Sequence, residues 1–123
     1  MITFETFEIV DGSPIYLQLI QYFKRGLVSG AITNGDALPS RRNLSALLGV
    51  NPNTVQKAYH LLEEEGLIQS QTGAKSLVSC NEDQLRRIRK ELLEREIRSV
   101  VEGLKQAGLS KAEALEWMNR YWE

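Results

Sequence analysis

The sequence predicts a mainly α-helical protein with one small β-hairpin, and three observations support this fold class. Apolar residues recur at three- and four-residue spacing in five separate segments, as they do on the buried face of a helix. Capping residues, prolines and glycines stand at the expected ends of these segments. Two short apolar runs flank a glycine-containing stretch between the third and fourth segments, which is typical of a hairpin.

The composition excludes several classes of protein. The chain has 123 residues, of which 42% are apolar and 25% are charged, as in folded domains. No apolar run approaches the roughly 20 residues of a membrane helix, and the N-terminus lacks a signal-peptide pattern. With one histidine, His60, and one cysteine, Cys80, we expect no metal site, no cofactor and no ordinary enzyme. The lone cysteine favours a cytoplasmic location.

The first helix is expected over about 14–29, with Ser13 as its N-cap and Pro14 at its first position. A second helix of about 41–48 and a third of about 52–65 follow, each after a capping residue. These two short helices, joined by a few residues that include a glycine, have the pattern of a helix-turn-helix.

Two short strands are expected over residues 67–70 and 76–79, and residues 71–75 can turn between them. A hairpin directly after the third helix would complete a winged helix-turn-helix. The sequence therefore predicts one domain over residues 1–80, followed by a tail over residues 81–123.

The tail is expected to contain two helices and to form a dimer. A helix of about 26 residues begins near Glu82, and a capping box at residues 110–113 opens the last helix. The long apolar stripe and the aromatic end of the chain need a surface to cover them. In the alternative interpretation, the tryptophans fold back onto Leu104, and both arrangements can coexist. The expected dimerisation residues are Leu92, Ile97, Val100, Leu104, Trp117, Met118, Tyr121 and Trp122.

Polar and basic residues lie where a helix-turn-helix meets DNA. The major groove admits one helix, whose first turns contact base edges, and a helix N-terminus attracts phosphate. Residues 38–60 contain no Asp or Glu. An alternative interpretation treats Asn51 and Thr54 only as capping groups and the arginines as solvated charges. The candidate DNA-binding residues are Arg41, Arg42, Asn51, Asn53, Thr54, Gln56 and Lys57.

These segments resemble the GntR family of bacterial transcription regulators. The resemblance covers residues 14–79 and rests on Pro14-Ile15-Tyr16-Leu17-Gln18, Leu38-Pro39-Ser40-Arg41-Arg42-Asn43-Leu44, Val50-Asn51-Pro52-Asn53-Thr54-Val55-Gln56-Lys57-Ala58-Tyr59, Leu62-Glu63 and Gly66. It implies that Arg42 binds phosphate, that residues 51–56 contact base edges in the major groove, and that Gly73 approaches the minor groove. The wing departs from the family pattern, because its usual arginine and second glycine are missing. Lys75 is the candidate substitute.

The two-helix tail resembles the YtrA-type subfamily, whose short tail dimerises. The resemblance implies a cytoplasmic homodimer that binds double-stranded DNA at an inverted-repeat operator, represses transcription and controls a transporter operon. A small-molecule effector is a further candidate partner, and the resemblance does not specify its chemistry. Two alternatives also remain: a winged-helix module that binds proteins and never DNA, and a fragment of a regulator fused to an aminotransferase-like domain.

Overall fold

The computed structural model describes residues 2–71 and 75–123. Five helices and a three-stranded antiparallel sheet occur in this part of the chain, which confirms the mainly α-helical fold with a small β element. The chain divides into two compact units, Met1–Ile88 and Arg89–Glu123. Within the described residues, no helix is both long enough and apolar enough to span a membrane.

Three helices form the core of the first unit. They are α1 (Ile15–Ser29), α2 (Arg41–Leu48) and α3 (Pro52–Glu64). Each helix directs one apolar face inward, as the spacing predicts. The side chains that are almost fully buried between the helices are Leu19, Phe23, Leu27, Leu44, Val55, Tyr59 and Leu62.

The expected N-cap of α1 is wrong. Pro14, not Ser13, occupies the cap position, and no side chain caps the helix. The extended backbone of Pro14 places the first helical residue at Ile15, so Ser13 lies one position too early to reach the free amide groups. Instead, the side-chain amide of Gln18 donates to the Ser13 carbonyl at 2.8 Å.

The sheet contains one more strand than the expected hairpin. Strands β2 (Ile68–Ser70) and β3 (Ser76–Val78) pair as expected, and β1 (Ala37–Leu38) pairs with the other edge of β3. The N-terminal segment extends this packing, because the Ile2 amide donates to the Ala37 carbonyl at 2.8 Å. The sheet is therefore anchored to both the start of the chain and the segment before α2.

The second unit contains most of α4 (Glu82–Gln106) and all of α5 (Lys111–Tyr121). Gly108 ends the first of these helices with a φ of 83°, a conformation that glycine adopts without strain. The expected capping box is present. The Glu113 amide donates to Ser110 Oγ at 3.2 Å, and Glu113 Oε1 accepts from the Ser110 amide at 3.4 Å.

Candidate nucleic-acid interface

The N-terminus of α3 is capped by a side chain. Asn51 Oδ1 accepts from the Asn53 amide at 2.8 Å, and the Asn51 carbonyl accepts from the Thr54 amide at 2.9 Å. Pro52 occupies the first turn, where a missing amide proton leaves no bond unmade. The expected capping role of Asn51 is therefore present, and this bond orients the side chains of the first helical turn.

One face of α3 carries polar side chains to the surface. Asn53, Gln56, Lys57 and His60 are exposed, and their spacing of three, one and three residues places them on one side of a helix. Val55, Ala58, Tyr59 and Leu62 are buried on the opposite side. Thr54 lies between these two faces and is half-buried. The polar face is therefore available to a partner without any change in the core.

The two candidate arginines at the start of α2 have different environments. Ser40 caps this helix, because its Oγ accepts from the Asn43 amide at 3.1 Å. Arg42 is exposed, whereas Arg41 is half-buried and its guanidinium carbon lies 5.1 Å from the centre of the Tyr59 ring. Only Arg42 among these two is thus fully presented to solvent.

Lys57 contacts the first helix of the domain. Its Nζ lies 4.0 Å from the centre of the Tyr16 ring, a distance at which a cation is attracted to the ring face. Tyr16 is the second residue of α1 and is half-buried. This contact places the N-terminal turn of α1 beside the polar face of α3.

The acidic side chains near the far end of α3 are engaged in local contacts. His60 Nε2 lies 2.9 Å from Glu64, and Lys24 Nζ lies 3.0 Å from Glu65. Ser70 donates both its hydroxyl and its amide proton to Glu63. The Ser70 hydroxyl, and to a smaller extent the positive charge of Arg41, lower the pKa of the Glu63 carboxyl. The acidic charge therefore lies away from the capped start of the helix.

The wing is described only in part. Lys75 is exposed immediately before β3, and its carbonyl accepts from the Gln71 amide at 2.6 Å. Gly73, the expected minor-groove contact, lies outside the described residues. Within the described residues, α2 packs against α3, and each of the two helices presents exposed polar or basic side chains, as does Lys75 just before β3.

The tail presents an apolar surface. Ile97 is 57% exposed, Tyr121 is 75% exposed and Trp122 is 80% exposed. Val100 and Trp117 are also exposed, whereas Leu92, Leu104 and Met118 are half-buried. A groove of about 340 Å³ lies between the two helices, and its lining includes Ile97, Val100, Leu104 and Met118.

The tryptophans do not fold back into a buried cluster. The Trp117 ring stacks on Tyr121 at 6.1 Å between ring centres, and the Arg120 guanidinium carbon lies 5.0 Å from the centre of the Trp117 ring. This small exposed stack continues along the last turn of α5. Within the second unit, the aromatic end of the chain is therefore largely exposed.

Residues 15–78 match the gntR family of bacterial regulatory proteins. The chain belongs to this family. Its helix-turn-helix and wing strands lie within the matched segment, so the GntR chain is a DNA-binding transcription regulator with a winged helix-turn-helix.

Three relatives of this GntR chain show how much of each chain the similarity covers. The transcriptional repressor YtrA of Bacillus subtilis is 44% identical over 71 residues, which cover 58% of this chain and 55% of that relative. The aligned part thus spans little more than half of YtrA. A GntR family regulator from Listeria monocytogenes is 27% identical, with a TM-score of 0.78 over 91% of this chain and 98% of that chain.

The third relative is a structure of the DNA-binding domain of AraR in complex with operator ORX1. It is 26% identical, with a TM-score of 0.51 over 55% of this chain and 82% of that chain. The matched family and all three relatives are transcription regulators. The chain is therefore similar to regulators and not to enzymes, and the alternative of a module that never binds DNA is set aside.

Sequence reasoning missed two residues that shape the GntR site. Tyr16 and Tyr59 stand in the quoted motifs without an assigned role, yet each lies against a candidate DNA-binding cation. Their presence in the quoted motifs was the signal in the sequence that could have identified them as site residues. The cations that they meet are separated from them by 18 and 41 positions along the chain, so helical spacing alone had no means of pairing them.

Proposed function

We propose that this regulator represses transcription by binding, as a homodimer, an operator made of two inverted half-sites. The polar face of α3 supports this proposal most directly, because it exposes short hydrogen-bonding side chains beside a capped helix end. Such a helix fits the major groove and reads base edges from its first turns. The repressor activity is supported by the 44% identity to the transcriptional repressor YtrA over 71 residues.

In this proposal, the residues divide between base edges and the phosphate backbone. Asn53, Thr54 and Gln56 contact bases, since amide and hydroxyl groups pair with adenine edges and thymine. Arg42, Lys57 and Lys75 contact phosphates, which position the protein without reading the sequence. The proposed set also includes Arg41, Asn51 and Gly73 as residues that support or extend this surface.

We further propose that residues 81–123 act as the dimerisation tail of a cytoplasmic protein. The exposed apolar side chains of the tail support this, because a two-fold interface buries the same patch on both subunits. Three large aromatic side chains and several aliphatic ones leave an area of order 800 Å² per protomer to bury, which is the size of a standard interface. The resemblance to YtrA-type regulators also supports control of a transporter operon.

Operator geometry tests this proposal with the full chain. A preferred site is first selected from a random duplex pool. Duplexes are then made with 5 or 10 additional base pairs between the half-sites, which are about half a turn and one full turn of DNA. We expect the half-turn insertion to weaken binding far more than the full-turn insertion, because it moves one half-site to the opposite side of the duplex.

The controls separate dimer symmetry from DNA binding itself. A duplex with one half-site measures the affinity of a single head, which we expect in the non-specific range of roughly 10⁻⁴–10⁻⁶ M. Equal affinity for one and for two half-sites, or indifference to the half-turn insertion, would show that the protein does not bind as a symmetric dimer. Repression is tested separately with a reporter placed behind the selected site.

A further inference from the structure

Arg41 occupies a position that is unusual for a DNA contact. Its guanidinium carbon lies 5.1 Å from the centre of the Tyr59 ring. Its Nε is shielded from solvent and has no hydrogen-bond partner among the residues that the structure describes. The contact with the ring, rather than a hydrogen bond through Nε, therefore orients the inner part of this side chain.

Tyr59 connects this contact to the turn before α2. Its hydroxyl donates to the Pro39 carbonyl at 2.7 Å, and the residue is only 2% exposed, so it does not reach a duplex itself. The ring and the hydroxyl together contact residues on both sides of the capping residue Ser40. Tyr59 thus holds the first turn of α2 against α3.

This anchoring matters because α2 is short. It has eight residues, and isolated helices of that length are not stable in water. Consecutive helical residues project about 100° apart. The contact between Arg41 and Tyr59 therefore fixes the rotation of α2 about its axis. This rotation sets the direction in which the Arg42 side chain leaves the helix and the direction in which the capped end of the helix faces.

The charge of Arg41 is also partly offset. Its positive charge contributes to the lowered pKa of Glu63, which lies one helical turn beyond Tyr59. A half-buried guanidinium that lies on the face of a ring and acts electrostatically on a carboxylate has less attraction left for phosphate than the exposed guanidinium of Arg42.

We propose that Arg41 is a positioning residue that acts through Tyr59 to aim the start of α2, while Arg42 makes the phosphate contact. This proposal rests on the DNA binding of the family and on the phosphate contact proposed for Arg42. It moves Arg41 from the set of expected DNA contacts to the set that shapes the surface.

The test compares Arg41→Met with the matched neighbour Arg42→Met in the full chain. Affinity for a fixed duplex is measured over a range of salt concentrations. Arg42→Met should reduce the salt slope by about 0.9 per subunit, the value for one lost phosphate contact. Arg41→Met should leave that slope unchanged and reduce the affinity about two- to tenfold at every salt concentration, as expected for one cation–π contact.

Coupling to Tyr59 supplies a readout that a loss of stability alone would not give. Tyr59→Phe removes the bond to Pro39 and keeps the ring, whereas Tyr59→Leu also removes the ring. The effect of Arg41→Met on affinity should persist beside Tyr59→Phe and disappear beside Tyr59→Leu. Exchange of the Asn43 amide, which is bonded to Ser40, should be faster in Arg41→Met and unchanged in Arg42→Met.

Several results would overturn the proposal. One is a salt slope for Arg41→Met that falls as much as that of Arg42→Met, and another is an affinity that does not change. If Arg41→Met or Tyr59→Leu fails to fold, Arg41→Lys replaces both. It keeps the charge and loses the planar stack, so positioning predicts a reduced affinity and a phosphate contact predicts an affinity within about twofold. Failure of the native protein to lose affinity with salt would instead refute the proposed phosphate contacts.

Discussion

Ile97→Ala should weaken the proposed dimer without disturbing the fold of the protomer. Ile97 lies on α4 and lines the groove of the tail. Because the side chain is more than half exposed in the single chain, its truncation leaves no cavity in the core. A substitution at such a surface position changes the stability of the protomer by about 0.5 kcal/mol at most.

The exposed area sets the expected magnitude. Ile97 leaves 57% of its surface exposed, and full burial of an isoleucine side chain contributes about 1.5–3 kcal/mol. Burying the exposed fraction therefore contributes about 0.9–1.7 kcal/mol per copy. A two-fold interface contains the residue twice and alanine keeps one of the four side-chain carbons, so the dimer loses about 1.3–2.6 kcal/mol. The dissociation constant of the dimer should rise about ten- to seventyfold.

Sedimentation equilibrium over a range of protein concentrations measures this constant. Ile9→Ala is the matched control, because Ile9 is 45% exposed but belongs to the first unit. It should leave the dissociation constant unchanged. An equal effect of both substitutions, or no effect of Ile97→Ala, would show that the groove of the tail is not the dimer interface.

Two further predictions concern base recognition and packing. Asn53→Ala and Thr54→Ala should each lose about 1–3 kcal/mol of binding free energy at particular base positions. Binding to a panel of single-base variants of the selected operator measures this loss. A uniform loss at all positions would indicate contacts with the DNA backbone instead. Gly26→Ala would bring a methyl group to 2.8 Å from Cγ1 of buried Ile32, and the overpacking of about 1–3 kcal/mol should exceed the roughly 1 kcal/mol gained in helix propensity. Thermal unfolding of Gly26→Ala should therefore show a lower Tm than that of the native protein. Gly103→Ala is the control and should raise the Tm, because nothing lies within 4 Å of the added carbon. A higher Tm for Gly26→Ala would contradict the overpacking.

The sequence by itself determined the helices of this protein and its family. Each helix has a regular apolar spacing and a local boundary signal, such as the Asn51 cap or the capping box at Ser110. These signals act within a few residues, so they can be interpreted without knowledge of the fold. The expected elements were therefore confirmed over most of the chain, and the motif residues identified the family before any geometry was known.

Only the tertiary structure decided the features that depend on distant residues. Strand β1 has two residues and exists because Ala37 pairs with Leu77, 40 positions later. Similarly, the difference between Arg41 and Arg42 arises from a tyrosine on another helix, and two adjacent arginines have the same appearance in the sequence.

The tail shows the same division. Its apolar spacing predicted two amphipathic helices, but the spacing did not distinguish side chains buried within the pair from those left exposed. Packing buries Ala114 to 9% exposure and leaves Trp122 at 80%, because the turn at Gly108 sets which sides of the two helices meet. Exposure is a property of the assembled surface, and it is this surface, rather than the apolar spacing, that a second subunit would contact.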